Sequence, residues 1–154
     1  MGKRACMAVL LCVLLLTGCG GEAKTGEKFE GGVNTYEGVT MAAVEGTAYP
    51  GTVTVEILNT TDAEIDSGNA SDFALQKEVD GEWYWLETRK DEYANTAEAL
   101  IYPKGETVEQ ELMWANMYGS LPEGHYRVVK HFFEYRGPGD CTDFLLAAEF
   151  DIGA

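Results

Sequence analysis

From about residue 38 onward the chain alternates apolar and polar positions. Thr52 to Leu58 puts Val53, Val55 and Ile57 on one face and Thr52, Thr54 and Glu56 on the other, the period of a half-buried strand. Turn-forming clusters bound it, Tyr49-Pro50-Gly51 before and Asn59-Thr60-Thr61-Asp62 after. The same pattern predicts strands over Val39 to Val44, Phe73 to Val79, Trp83 to Thr88, Leu100 to Tyr102, Glu106 to Trp114, His125 to Tyr135 and Asp143 to Ile152. Two of these flank Asp80-Gly81, a strong hairpin signal. In the last, Phe144, Leu146, Ala148, Phe150 and Ile152 face inward while Glu149 and Asp151 face water. No helical period is sustained. Ala115 to Tyr118 has room for one helical turn, and Arg89 to Glu98 reads as a long loop. Seven to eight short strands at roughly regular intervals predict an all-β antiparallel sandwich.

The first residues follow a different rule. Basic Lys3 and Arg4 precede the apolar run Ala5 to Leu16, which ends at small Thr17 and Gly18, the three regions of an export signal. A lasting membrane span needs about 20 apolar residues, and this run breaks after about a dozen. Leu16-Thr17-Gly18-Cys19 resembles the lipobox of bacterial lipoproteins. That resemblance implies cleavage after Gly18, diacylglycerol on the Cys19 thiol, and a protein held to the cell membrane facing outside the cytoplasm. The glycine- and charge-rich stretch that follows is expected to be a flexible tether over residues 19–37. About 18 such residues span on the order of 25 Å as a coil and about 60 Å fully extended. Residues 38–154 then form one domain with one core.

Composition narrows the partners. The net charge is −15, and without Lys3 and Arg4 the 11 basic residues fall to 9 against 26 acidic, a net of −17. Such a surface disfavours nucleic acid and anionic lipid headgroups; its simplest role is solubility. Of four cysteines, Cys6 and Cys12 would leave with the signal and Cys19 would carry lipid, so Cys141 is left alone and no intrachain disulfide forms. Cys141 reads as an inert residue beside the Gly137-Pro138-Gly139-Asp140 turn, and a monomer is expected.

A second resemblance concerns the fold. Leu121-Pro122-Glu123-Gly124-His125-Tyr126-Arg127 looks like the corner entering the penultimate strand of immunoglobulin-type sandwiches, where a tyrosine hydroxyl bonds to backbone a few residues upstream. Gly124 would permit the bend and Tyr126 would bury its ring. Together with Asp80-Gly81-Glu82-Trp83, Leu112-Met113-Trp114, Tyr118-Gly119 and Ala148-Glu149-Phe150-Asp151-Ile152, this is similar to the bacterial Ig-like domains of Gram-positive lipoproteins. The resemblance covers about residues 38 to 153 and implies no shared catalytic residues.

Candidate chemistry is sparse. His125 and His131 lie six apart on one strand face with Arg127, Val129 and Phe133; neither accompanies a nucleophile elbow or a metal-binding spacing, and both read as surface histidines. Asp62, Glu64 and Asp66, and the pair Asp140 and Asp143, are oxygen-rich but lack the spacing of an EF-hand and read as solvated loops. No metal or cofactor is expected. Trp83, Tyr84 and Trp85 are consecutive, so their rings alternate between faces. If one tryptophan fills the core, the rest, with Tyr93, Tyr102 or Tyr118, would form an exposed platform or pack under the Arg89 to Glu98 loop. The expected function is a lipid-anchored, non-catalytic binding or structural module for a protein or cell-wall ligand. The alternatives are a protease-inhibitor-like sandwich and, further off, a carbohydrate-binding module or hydrolase.

Overall fold

The computed structural model describes residues 23–89 and 98–153, which form ten strands and no helix. They are β1 (Thr25–Lys28), β2 (Val39–Ala43), β3 (Thr52–Asn59), β4 (Ile65–Ser67), β5 (Ala74–Val79), β6 (Glu82–Leu86), β7 (Leu100–Tyr102), β8 (Thr107–Met113), β9 (Gly124–Gly137) and β10 (Asp140–Ile152). Every pairing is antiparallel. The smaller sheet runs β2-β3-β8; the larger runs β1-β6-β5-β9-β4-β7, with β10 on the other side of β9. β9 is long enough for β5 to pair with its first half and β4 with its second, Gln76 opposite Arg127 and Asp66 opposite Phe133.

Alternation builds the core. Val53, Val55 and Ile57 are fully buried, and Phe144, Leu146, Ala148, Phe150 and Ile152 close the layer from β10. Trp114 is the tryptophan that fills the core, with no exposed surface; its indole N–H donates to the Pro50 carbonyl at 2.9 Å and its ring stacks on Phe150. Neither tryptophan of the consecutive Trp83-Tyr84-Trp85 run takes that place; both are half-buried. Trp114 instead directly follows β8 and opens a single helical turn, in which the Tyr118 N–H donates to the Trp114 carbonyl at 2.8 Å.

The turns follow their residues. Asp80 and Gly81 both have positive φ, 54° and 81°, as a two-residue hairpin of the right twist requires, and Val79 pairs with Glu82. At the corner the Tyr126 hydroxyl donates to the Pro122 carbonyl at 3.0 Å. A Cβ added at Gly124 would lie 3.1 Å from Tyr126 Cε2 and 3.2 Å from its hydroxyl, so the glycine makes room for the ring.

Two elements depart from the pattern-based reading. β4 is three residues long, and its polar Asp66 disguises the buried Ile65 and Ser67 on either side. β1 lies inside residues 19–37, expected as a free tether. Instead Thr25 pairs with Leu86 and Lys28 with Tyr84, Asn34 bonds through backbone and side chain to β10, and Tyr36 stacks on Phe144 at 3.9 Å. Main-chain pairing to the exposed edge of β6 orders a segment whose composition offers almost nothing else to bury.

Candidate functional site

The outward face of the larger sheet gathers the polar and aromatic side chains that the inner face excludes. Register sets Trp85, Gln76 and Arg127 in one row across β6, β5 and β9, with Trp83 and Glu78 in the next row. Arg127 is only 6% exposed, and its Nε donates to Gln76 Oε1 at 2.6 Å. The guanidinium lies 4.2 Å from the Trp83 ring centroid and 5.2 Å from that of Phe29, a cation between two aromatic faces. Phe29 meets Trp85 edge-on, ring centroids 5.2 Å apart. Burial lowers the Arg127 pKa from its usual value, and the Glu149 carboxylate partly offsets this.

His125 borders the cluster, its ring tilted against Trp83 at 5.4 Å. Its Nδ1 is 2.8 Å from Asp151 and its Nε2 is 3.4 Å from Glu149. The hydrogen bond to Asp151, opposed by burial and aided by Glu149, raises the imidazole pKa above 6.5. His131 Nε2 lies 3.2 Å from the Asp143 carboxylate. Both histidines thus meet β10 carboxylates across the sheet. Among the described residues no group of three or more His, Cys, Asp or Glu side chains is arranged to hold a metal ion.

The expected aromatic platform takes a different form. Trp83 and Trp85 are half-buried on the outer face and Tyr84 is half-buried on the other, but Tyr102 and Tyr118 are core residues and belong to no surface. Tyr93 lies outside the described residues, as do Gly18 and Cys19. What covers the tryptophans among the described residues is Phe29, from the N-terminal side. Composition could not reveal this, although Phe29 is the one aromatic between Cys19 and Tyr36. Arg127 and Gln76 were equally inconspicuous, because their pairing depends on the β5–β9 register.

At the other end of β9 a cleft of about 440 Å³ is lined by Asp66, Ser67, Asp72, Phe133, Tyr135 and Cys141, among others. Lys130 is buried beside it, its ammonium donating to the carbonyls of Asn69 and Asp72 at 3.1 Å each. Desolvation pushes its pKa down to about 8, with Asp72 acting in the opposite sense. Cys141 is an exposed free thiol, and Asp140 beside it is tied to Arg136 at 2.8 Å.

No curated protein and no solved structure matches the chain. Residues 35–151, nearly the whole sandwich, match the sequence profile described as a bacterial Ig-like domain. Domains of this kind are generally non-catalytic and serve as structural or binding modules. The chain belongs to the bacterial Ig-like domain family, and its all-β fold is an immunoglobulin-like sandwich.

Proposed function

We propose that this protein is a lipid-anchored, extracytoplasmic Ig-like module that binds a protein or cell-wall partner and carries out no chemistry of its own. The observation that supports this most is the family match over residues 35–151, in a chain that also carries the lipobox-like Leu16-Thr17-Gly18-Cys19 upstream. The outer-face cluster of Trp83 and His125, packed over the buried Arg127, supplies what a recognition surface uses: aromatic area, an imidazole and flanking carboxylates. The acidity of the chain favours a neutral or cationic partner over a polyanionic one.

Fractionation of expressing cells tests the anchor. The native chain is expected with the membranes and Cys19→Ala in the soluble or uncleaved pool; identical distribution of the two would overturn the lipid reading. A screen against hydrolase substrates tests the absence of chemistry. The expected result is no turnover, and a turnover abolished by one Asp or Glu substitution would make the protein an enzyme.

A further inference from the structure

β1 and Phe29 lie outside the family match at residues 35–151, yet they cover both the edge and the outer face of β6. The part of the chain that the family shares would, by itself, end its larger sheet at β6. Trp83, Trp85 and Arg127 would then stand beside a row of unpaired backbone groups, the arrangement that accepts an added strand.

The cover is short and is attached apart from the rest of the chain. β1 has four residues, and its register shifts between Thr25 and Lys28. Beyond the ladder, the Glu87 N–H donates to the Lys24 carbonyl and the Phe29 N–H to the Trp83 carbonyl, both at 2.8 Å. Lys28 pairs with Glu82, and Phe29 packs on Trp85 and Arg127. Gly31 and Gly32 follow, and the next attachment is Asn34, which donates to and accepts from the backbone of Ala147 at 3.0 and 2.8 Å. Residues 24–29 thus hold β6 through one continuous run of contacts, and Asn34 fixes the chain separately behind them. The cover also fits imperfectly. Gln76 beneath it is fully buried, and its Nε2 has no hydrogen-bond partner among the described residues. An occupant that offered that nitrogen an oxygen acceptor would relieve a cost the present one leaves in place.

We propose that the β6 edge and the Trp83–Trp85–Arg127 face form a strand-accepting site, that residues 24–29 occupy it in cis as a releasable strap, and that its partner is an extended peptide segment of another protein with a basic residue directly before an aromatic one. This rests on the binding-module reading and names its class of partner. The chemistry comes from the strap itself: main-chain pairing to β6, a cation reaching Glu82 as Lys28 does, and a ring set against Trp85 and the Arg127 guanidinium as Phe29 is. A short linker gives the strap an effective concentration in roughly the millimolar range, so it masks the site from weak or dilute competitors.

The test uses the full chain, native and Phe29→Ala, and a synthetic peptide of residues 23–32. The Phe29→Ala chain is expected to bind the peptide at least about tenfold more tightly than the native chain, because the cis competitor is weakened. Ala at Phe29 or Lys28 within the peptide is expected to weaken binding. Hydrogen exchange should find the Glu87 amide protected in the native chain, fast in Phe29→Ala, and protected again with peptide. Equal binding of the parent peptide and its Phe29→Ala form, or a Glu87 amide still protected in the variant chain without peptide, would overturn the proposal. If Phe29→Ala no longer unfolds cooperatively, excess peptide is titrated onto the native chain instead. Faster exchange of its own Phe29 amide then supports displacement, and unchanged exchange at saturation overturns it. A partner bound elsewhere on the domain, with these peptide effects absent, would leave the module reading intact and remove the strap.

Discussion

At the scale of single residues, the corner and the buried ammonium carry the sharpest consequences. Tyr126→Phe keeps the ring in the core and removes only the bond to Pro122, so a loss of about 1 kcal/mol in denaturant unfolding is expected. Gly124→Ala presses a methyl group onto the same ring and is expected to destabilise by about 1 to 3 kcal/mol, the range for overpacking. The two changes touch one another, so their effects should not add, which a double-mutant cycle will show. Lys130 predicts a pH dependence. Its ammonium, normally titrating near 10.5, loses its proton near 8 when folded, so between these values the unfolded chain binds more protons. The contribution of Lys130 to stability therefore rises as pH climbs from about 8 toward 10.5. Tyr36 acts in the opposite direction at higher pH: burial and Glu134 raise its hydroxyl from 10 to about 12, so its contribution is lost as pH rises above 10. The thermal midpoint of the native chain relative to Lys130→Met is expected to increase between pH 8 and 10. A constant difference would contradict the shift.

Strands and turns differ in how much of their structure local residues determine. The Asp80-Gly81 hairpin needs two successive positive φ angles, so Gly81→Ala is expected to cost about 1 kcal/mol, measured as a lower denaturation midpoint. Its identity was legible because few residue pairs fill such a turn. The long strands were legible for a similar reason: β3 alternates buried and less buried positions along its length, and in β10 Phe144, Leu146, Ala148, Phe150 and Ile152 are all buried, with Ala147 the one buried residue on the other face. β1 was not legible, because a short run of glycine and charge becomes a strand only when a neighbouring edge offers hydrogen bonds, and that edge is some 60 residues away in the chain. Trp114 was legible as the end of a strand but not as the core tryptophan, because its burial depends on Pro50 and Phe150, neither of them near it in sequence. The candidate site shows the same division. Trp83 and Trp85 were visible as an aromatic run, whereas Arg127, Gln76 and Phe29 join them only through the register of four strands.

For the whole molecule, the ordering of β1 changes the geometry of the proposed anchor. A free tether over residues 19–37 would let the domain range about 60 Å from the lipid, but with β1 paired only residues 20–24 remain between Cys19 and the sheet, at most about 18 Å of chain. Thr25 lies opposite Leu86, so through the antiparallel ladders the N-terminal segment leaves toward the end of the sheet that carries β4 and the tip of the β9–β10 hairpin. The proposed anchor thus places that end nearer the bilayer and presents the Asp80-Gly81 hairpin outward. The negative charge, a net of −17 once Lys3 and Arg4 leave the 11 basic residues at 9 against 26 acidic, would then repel an anionic membrane surface and hold the domain off it at the end of its short leash. All of this depends on whether Cys19 is the lipidated first residue of the mature protein. The intact mass and N-terminal peptide of the protein extracted from membranes decide that question. The account predicts a chain that begins at Cys19 and carries diacylglycerol on its thiol; a mature chain that begins elsewhere, or an unmodified Cys19 thiol, would contradict it.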